Sequence, residues 1–299
     1  MTARALDPQR SAAAWRDRGR FIDVPEGRVF VIELGDSSDA SATPVLVLHG
    51  FPTSSWDFVD VARLVSVHRR VVLFDFVGFG YSDKPDEHGY SLFEQADVAV
   101  LVARACGLTR AHVWAHDMGT SVATELCARR ERGLLPFTLE SLVLLNGSVH
   151  IEMASLTLGQ HLLLSPVGDL FARVSTKRVF VAQMRRIFGR PADEADLETM
   201  WMLLSRDGGA RRLPAIIAYV RERTRFRRRW IGALERLDVP VLVAWGRKDP
   251  ICALAIAEQL AREIPAAQLT IWDDLGHYPQ VEAPDLVARA VAAFWSALQ

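Results

Sequence analysis

The stretch Trp114-Ala115-His116-Asp117-Met118-Gly119-Thr120 decides the fold of this 299-residue chain. The run 111–115 leading into it is apolar and reads as a strand, and the pattern over 120–132 leading out reads as a helix. Ala115 and Gly119 stand two positions before and two after Asp117. A sharp strand-to-helix turn demands small residues there, because larger side chains collide with the neighbouring chain. This is the pattern of a nucleophile elbow, usually G-x-S-x-G, with aspartate in the serine position. Asp117 also reads as an N-cap of the following helix, and on this stretch alone the two readings balance.

On either side of the elbow, short apolar runs alternate with helical patterns. Runs at 28–34, 45–48, 70–75, 141–146, 239–245 and 268–272 read as strands, the first of them antiparallel and near an edge. Helical spacing covers 91–106, 253–264 and 284–298 as well as 120–132. Uniformly apolar strands separated by helices predict an α/β fold, a mostly parallel sheet with helices on both faces. From 150 to 232 the patterns are helical without a convincing strand. This predicts a helical cap inserted into a core made of 21–149 and 233–299. The end of the insertion holds six arginines between Arg221 and Trp230. A solvated helix face with Arg–Glu pairs explains them better than a nucleic-acid site. Residues 36–43 read as a loop.

Half of the residues are hydrophobic, enough for a large core. A formal net charge of −1 leaves no global field to attract nucleic acid. Cys106, Cys127 and Cys252 are scattered and odd in number, with neither a disulfide framework nor a metal spacing, and predict buried thiols. Residues 1–20 are rich in Arg and Ala, lack a secretory apolar stretch, and read as a loosely docked start. No run approaches the roughly 18 apolar residues of a membrane span. These features predict a cytoplasmic protein with no cofactor, metal or nucleic-acid partner, and leave a homodimer open.

Three further segments fall where an elbow needs them. His49-Gly50-Phe51-Pro52 follows an early strand and aims the Phe51 backbone N–H inward. With the Met118 N–H it predicts an oxyanion hole. Asp249, in Gly246-Arg247-Lys248-Asp249-Pro250, follows the strand ending at Trp245, and His277, in Gly276-His277-Tyr278-Pro279, follows the last strand. The order nucleophile, acid, histidine, all at carboxyl ends of strands, predicts a catalytic triad of Asp117, Asp249 and His277.

These residues resemble the epoxide hydrolase and haloalkane dehalogenase branch of the α/β-hydrolases, over nearly the whole chain after Phe21. A closer resemblance, to the mesoderm-specific transcript family and its bacterial relatives, rests on three stretches. They are Leu48-His49-Gly50-Phe51-Pro52-Thr53-Ser54-Ser55, Asp75-Phe76-Val77-Gly78-Phe79-Gly80-Tyr81-Ser82-Asp83-Lys84-Pro85 and Phe226-Arg227-Arg228-Arg229-Trp230-Ile231-Gly232-Ala233-Leu234. The resemblance implies the α/β-hydrolase fold with an eight-stranded sheet. It sharpens the lineage more than the substrate.

A carboxylate is ionised near neutral pH and attacks without a base. It suits a saturated carbon bearing a leaving group and gives an alkyl ester. His277, held by Asp249, then deprotonates a water that attacks the ester, with the oxyanion held by Phe51 and Met118. Epoxide opening is the leading expectation. The resemblance implies two cap tyrosines as donors to the leaving alkoxide. Tyr219 matches the second, and the first has no counterpart, with His150 and His161 as weak substitutes. Tyr219, His49 and Asn146 are the expected substrate-binding residues. The alternative is a haloalkane dehalogenase with atypical halide donors. The resemblance puts Trp after the nucleophile and often Asn or Glu after His-Gly, where this chain has Met118 and Phe51. Trp201 is a cap tryptophan able to donate in their place. A non-catalytic hydrolase-fold binding protein is the third reading. The expected partner is a small hydrophobic molecule with an electrophilic carbon.

Overall fold

The computed structural model, which describes residues 10–35, 42–265 and 267–298, contains one eight-stranded sheet. Its strands are β1 (Arg20–Val24), β2 (Gly27–Leu34), β3 (Val45–Leu48), β4 (Val71–Phe74), β5 (Arg110–His116), β6 (Thr138–Leu145), β7 (Val241–Gly246) and β8 (Ala267–Trp272). Across the sheet they run β1-β2-β4-β3-β5-β6-β7-β8. The β1–β2 and β2–β4 pairs are antiparallel and the rest are parallel. β3, β4 and β7 are buried along their whole length, as strands covered on both faces must be. β1 is the strand that the apolar runs do not reveal. It lies at the edge, and its residues alternate between exposed and half-buried, so it carries little hydrophobic signal.

Helices α1 (Ala12–Arg18), α2 (Val59–Ser66), α3 (Leu92–Ala105) and α4 (Met118–Glu131) precede β6. Between β6 and β7 stand α5 (Leu158–Leu164), α6 (Gly168–Val174), α7 (Lys177–Ile187), α8 (Glu194–Ser205), α9 (Leu213–Ile217), α10 (Tyr219–Arg225) and α11 (Arg227–Glu235). Then come α12 (Leu254–Glu263), α13 (Pro279–Glu282) and α14 (Pro284–Ser296). α11 packs on α4, and Arg229 and Trp230 both donate to Glu125, each at 2.8 Å. The boundary expected at 232/233 falls inside α11. No helix among the described residues is long and apolar enough to cross a membrane.

Two expectations need correction. The start of the chain is anchored from Arg10 onward, not loosely docked. Trp15 is buried edge-on against Trp56, with centroids 6.0 Å apart. Arg10 pairs with Asp60 of α2 at 2.9 Å and with Asp196 of α8 at 2.5 Å, tying the insertion to the core. Residues 1–9 and most of the loop expected at 36–43 lie outside the described residues. The arginine run is only partly a solvated face. Arg227 pairs with Glu152 at 2.7 Å and Arg229 with Glu125 at 2.6 Å, but Arg223 is 1% exposed and points inward.

Candidate active site

β5 hands the chain to α4 at Asp117, whose backbone sits at φ 45°, ψ −112°. L-residues rarely adopt such a conformation, so the surroundings must hold it. Its N–H donates to the Leu145 carbonyl at 3.2 Å, and its carbonyl accepts from Thr120 N–H at 3.0 Å and from Thr120 Oγ1 at 2.6 Å. Gly119 is required because a Cβ there would lie 2.3 Å from the Leu48 carbonyl oxygen. Asp117 makes no side-chain capping bond. Its Oδ2 instead accepts from the Phe51 N–H at 2.9 Å. The Met118 N–H is the first amide of α4, one of those with no carbonyl partner inside the helix.

The other two triad candidates converge on Asp117. His277 Nδ1 donates to Asp249 Oδ2 at 2.7 Å, which fixes the orientation of the ring and turns Nε2 toward Asp117 Oδ1 at 3.9 Å. Burial works against a charged His277, but the Asp249 carboxylate overrides it and raises the imidazole pKa well above its ordinary value. Asp249 Oδ1 accepts from the Ile251 and Cys252 N–H groups at 2.8 and 2.9 Å. Its Oδ2 also accepts from Asn146 Nδ2 at 2.7 Å. These four donors fill the carboxylate's lone-pair directions. Cys252 brings a third metal-ligand type within 4.8 Å of Asp249 and His277, but the filled carboxylate suits an orienting role better than metal coordination.

Two residues expected to contact substrate do not face it. His49 is fully buried, with Nδ1 donating to the Gly50 carbonyl at 2.9 Å and Nε2 accepting from the Phe76 N–H at 3.0 Å. It braces the turn that presents Phe51. Asn146, at φ 41°, is turned behind the triad, where it holds Asp249 and accepts from the Gly246 N–H at 3.0 Å. His116, within the elbow itself, has a role that the elbow pattern does not mark. Burial, and after it the nearby His277, push its pKa down to about 3. The neutral ring donates from Nε2 to the His277 carbonyl at 2.8 Å. Asp75 of the second family stretch is structural, accepting from the Ser55 and Tyr81 N–H groups at 2.8 and 2.7 Å.

Above Asp117 and His277 lies a pocket floored by Phe51, Pro52, Ile251 and His277 and walled by helices between β6 and β7, including Leu163, Phe171, Met184 and Trp201. Asp117, 4% exposed, sits just below the floor, in contact with Phe51 and His277. The wall is mostly apolar, with Thr157, Gln160, Ser175 and Gln183 as its polar members, and among the described residues His277 is its one ionisable residue. Sequence patterns gave no signal for the two glutamines. Tyr219 lies beside Asp117 rather than on the pocket wall, its ring 5.9 Å from that of Phe51. Burial, and after it the Asp117 carboxylate, raise the pKa of its phenol well up, so it keeps its proton. Arg223 lies over the Tyr219 ring at 4.6 Å. Its guanidinium donates to Ser121 Oγ at 2.7 Å, to Ser148 Oγ and to the Asp117 carbonyl at 3.4 Å. His150 bonds Glu263 at 2.7 Å and His161 is exposed, so neither supplies the absent first tyrosine.

Residues 43–284 match the family described as alpha/beta hydrolase fold. The chain is 41% identical over 285 residues to a Mycobacterium tuberculosis protein, LipZ, that is named as a hydrolase, covering 94% of this chain and 96% of that one. It is 36% identical over 295 residues to the mesoderm-specific transcript protein of Mus musculus, covering 93% and 86%. Among solved structures, it superposes on the haloalkane dehalogenase DbeA from Bradyrhizobium elkani with a TM-score of 0.79 at 22% identity, covering 94% and 98%. At that identity the likeness speaks for the fold alone.

Proposed function

This chain belongs to the α/β-hydrolase fold family, and from that premise we propose that it hydrolyses a small, uncharged, largely apolar epoxide through a covalent ester on Asp117. The observation that carries this reading is the carboxylate at the elbow, with one oxygen held and the other turned toward His277. Asp117 Oδ2 is held by the Phe51 N–H at 2.9 Å, and Oδ1 faces His277 Nε2 at 3.9 Å. Oδ1 attacks the electrophilic carbon, the carbon–oxygen bond of the epoxide breaks, and the released alkoxide takes a proton. Tyr219, a protonated phenol next to Asp117, is the donor this reading assigns. His277 then takes a proton from water, and the water oxygen bonds to Asp117 Cγ. Oδ2, already held by the Phe51 N–H, becomes the oxyanion, with the Met118 N–H as second donor. The Cγ–Oδ1 bond breaks, the diol leaves with the proton from His277, and the proton left on the new Asp117 carboxyl returns to the Tyr219 phenolate.

A second reading rests on Trp201, a pocket-lining indole. A halide would leave toward such a donor, giving haloalkane hydrolysis on the same triad. Product analysis on matched epoxides and haloalkanes tests both. Diol release that vanishes in Asp117→Ala and falls about hundredfold in Tyr219→Phe supports the epoxide reading. Halide release indifferent to Tyr219→Phe favours the second. Turnover retained in Asp117→Ala rejects both.

A further inference from the structure

Glu282 of α13 takes no part in the reaction above, yet its carboxylate is built into the site. It accepts four backbone N–H groups from two different parts of the molecule. Gly189 and Arg190, in the turn after α7, each donate to Oε2 at 2.9 Å. Gly276 donates at 3.0 Å to Oε2 and 3.1 Å to Oε1, and Tyr278 donates to Oε1 at 3.2 Å. The last two flank His277, whose own N–H donates to the Ile187 carbonyl at 2.8 Å. The two backbones touch here. A Cβ on Gly189 would lie 2.4 Å from the Gly276 nitrogen. Arg190 adds a side-chain tie to Asp274 at 2.8 Å. Met184 and Ile187 of α7 line the pocket. Whatever fills the pocket therefore presses on the helix whose end is bonded to the His277 loop.

We propose that Glu282 is a positioning residue that makes the placement of His277 conditional on the placement of cap helix α7. The proposal rests on the reading of His277 as the base of ester hydrolysis. Alkylation of Asp117 needs no base, so it does not draw on the alignment of His277. Hydrolysis needs His277 Nε2 aligned, and so waits for α7 to be seated. Glu282 ties the base to the filled pocket because one rigid carboxylate holds both segments at once.

Hydrogen exchange on the full chain, wild type against Glu282→Gln, reads this coupling without a substrate. Glutamine keeps the size but sets an NH2 against backbone donors, so amides in 187–190 and 274–278 should exchange faster together, by about tenfold. β5 and β6 should not change. Faster exchange in only one segment or in neither overturns the coupling, and so does a uniform rise across the sheet. If Glu282→Gln fails to fold, Gly189→Ala poses the same question, since its methyl forces the two backbones apart. With an epoxide that is turned over, Glu282→Gln should accumulate the Asp117 ester with His277 intact. Then kcat and KM fall together by about tenfold and kcat/KM holds, because ester formation is untouched. Ester trapped in His277→Gln but not in Glu282→Gln rejects the positioning role and leaves the Asp117 reading standing. Ester in neither variant removes that reading, and the exchange data then decide the coupling of the two segments by themselves.

Discussion

The sheet side and the cap side of the pocket fix their polar groups very differently. On the sheet side Asp249 takes four hydrogen bonds, His277 is held through ring and backbone, and the Asp117 backbone is pinned in a strained conformation. On the cap side four amide and hydroxyl side chains stand in an apolar wall, and one of them, Gln160, spends its oxygen on the N-cap of α5. The sheet side is preorganised for one reaction geometry, which is where differential binding of a transition state is gained. The cap side offers shape and a few adaptable contacts, which select a substrate.

This contrast can be broken by substitution. The largest effect is expected at the nucleophile. Asp117→Asn should cost at least about 10⁴-fold in kcat with the fold retained. Steady-state turnover alongside circular dichroism checks it, and a loss of only a few-fold would show that the chemistry lies elsewhere. Next is Asn146→Ala, which leaves the buried Gly246 N–H without its acceptor and takes one donor from Asp249. It should destabilise by about 1–3 kcal/mol in denaturant unfolding and lower kcat by about tenfold or more. On the cap side, Gln183→Leu should shift kcat/KM among neutral substrates by about three- to tenfold and leave ester formation chemically intact. A kcat loss as large as that of Asn146→Ala would erase the distinction between the two sides.

The smallest effect near neutrality is on stability. Burial pushes the His112 and His116 pKa values down to about 3, with smaller contributions from Arg69 and His277 respectively. Their unfolded counterparts titrate at about 6.5, so below that pH the unfolded chain binds protons the folded chain refuses. The stability they confer is full above about 6.5 and declines as pH falls toward about 3, by up to roughly 1.4 kcal/mol per unit for each. His277 acts oppositely, since its raised pKa confers stability at low pH that is lost as pH rises through the folded value. Denaturation midpoints measured from neutral pH downward should fall, and should fall less in His112→Asn. An unchanged slope in that variant removes His112 from the account.

The parallel sheet and the convergence of Asp117, Asp249 and His277 were legible in the sequence because each residue sits at a strand end with turn residues beside it. Strand order then brings strand ends together. The direction of a strand-end side chain was not legible. His49 and Asn146 look like pocket residues, but the contacts of His49 and the positive φ of Asn146 turn both into braces. Arg223 is written in a run that reads as solvated, and its burial depends on Ser121 and Ser148, distant in sequence. The pocket wall was hidden for the same reason. Its residues come from several helices that meet only after packing, and Glu282 shows its role only through backbone amides from two loops.

The most direct test is mass spectrometry of the His277→Gln variant after incubation with a mixed panel of epoxides, haloalkanes and lactones. A covalent adduct on the peptide containing Asp117 is the predicted result, and its mass names the substrate class. An epoxide adds its whole mass, whereas a haloalkane adds its alkyl group without the halide. An unmodified Asp117 in that variant, with a compound that the wild type turns over, would contradict the account.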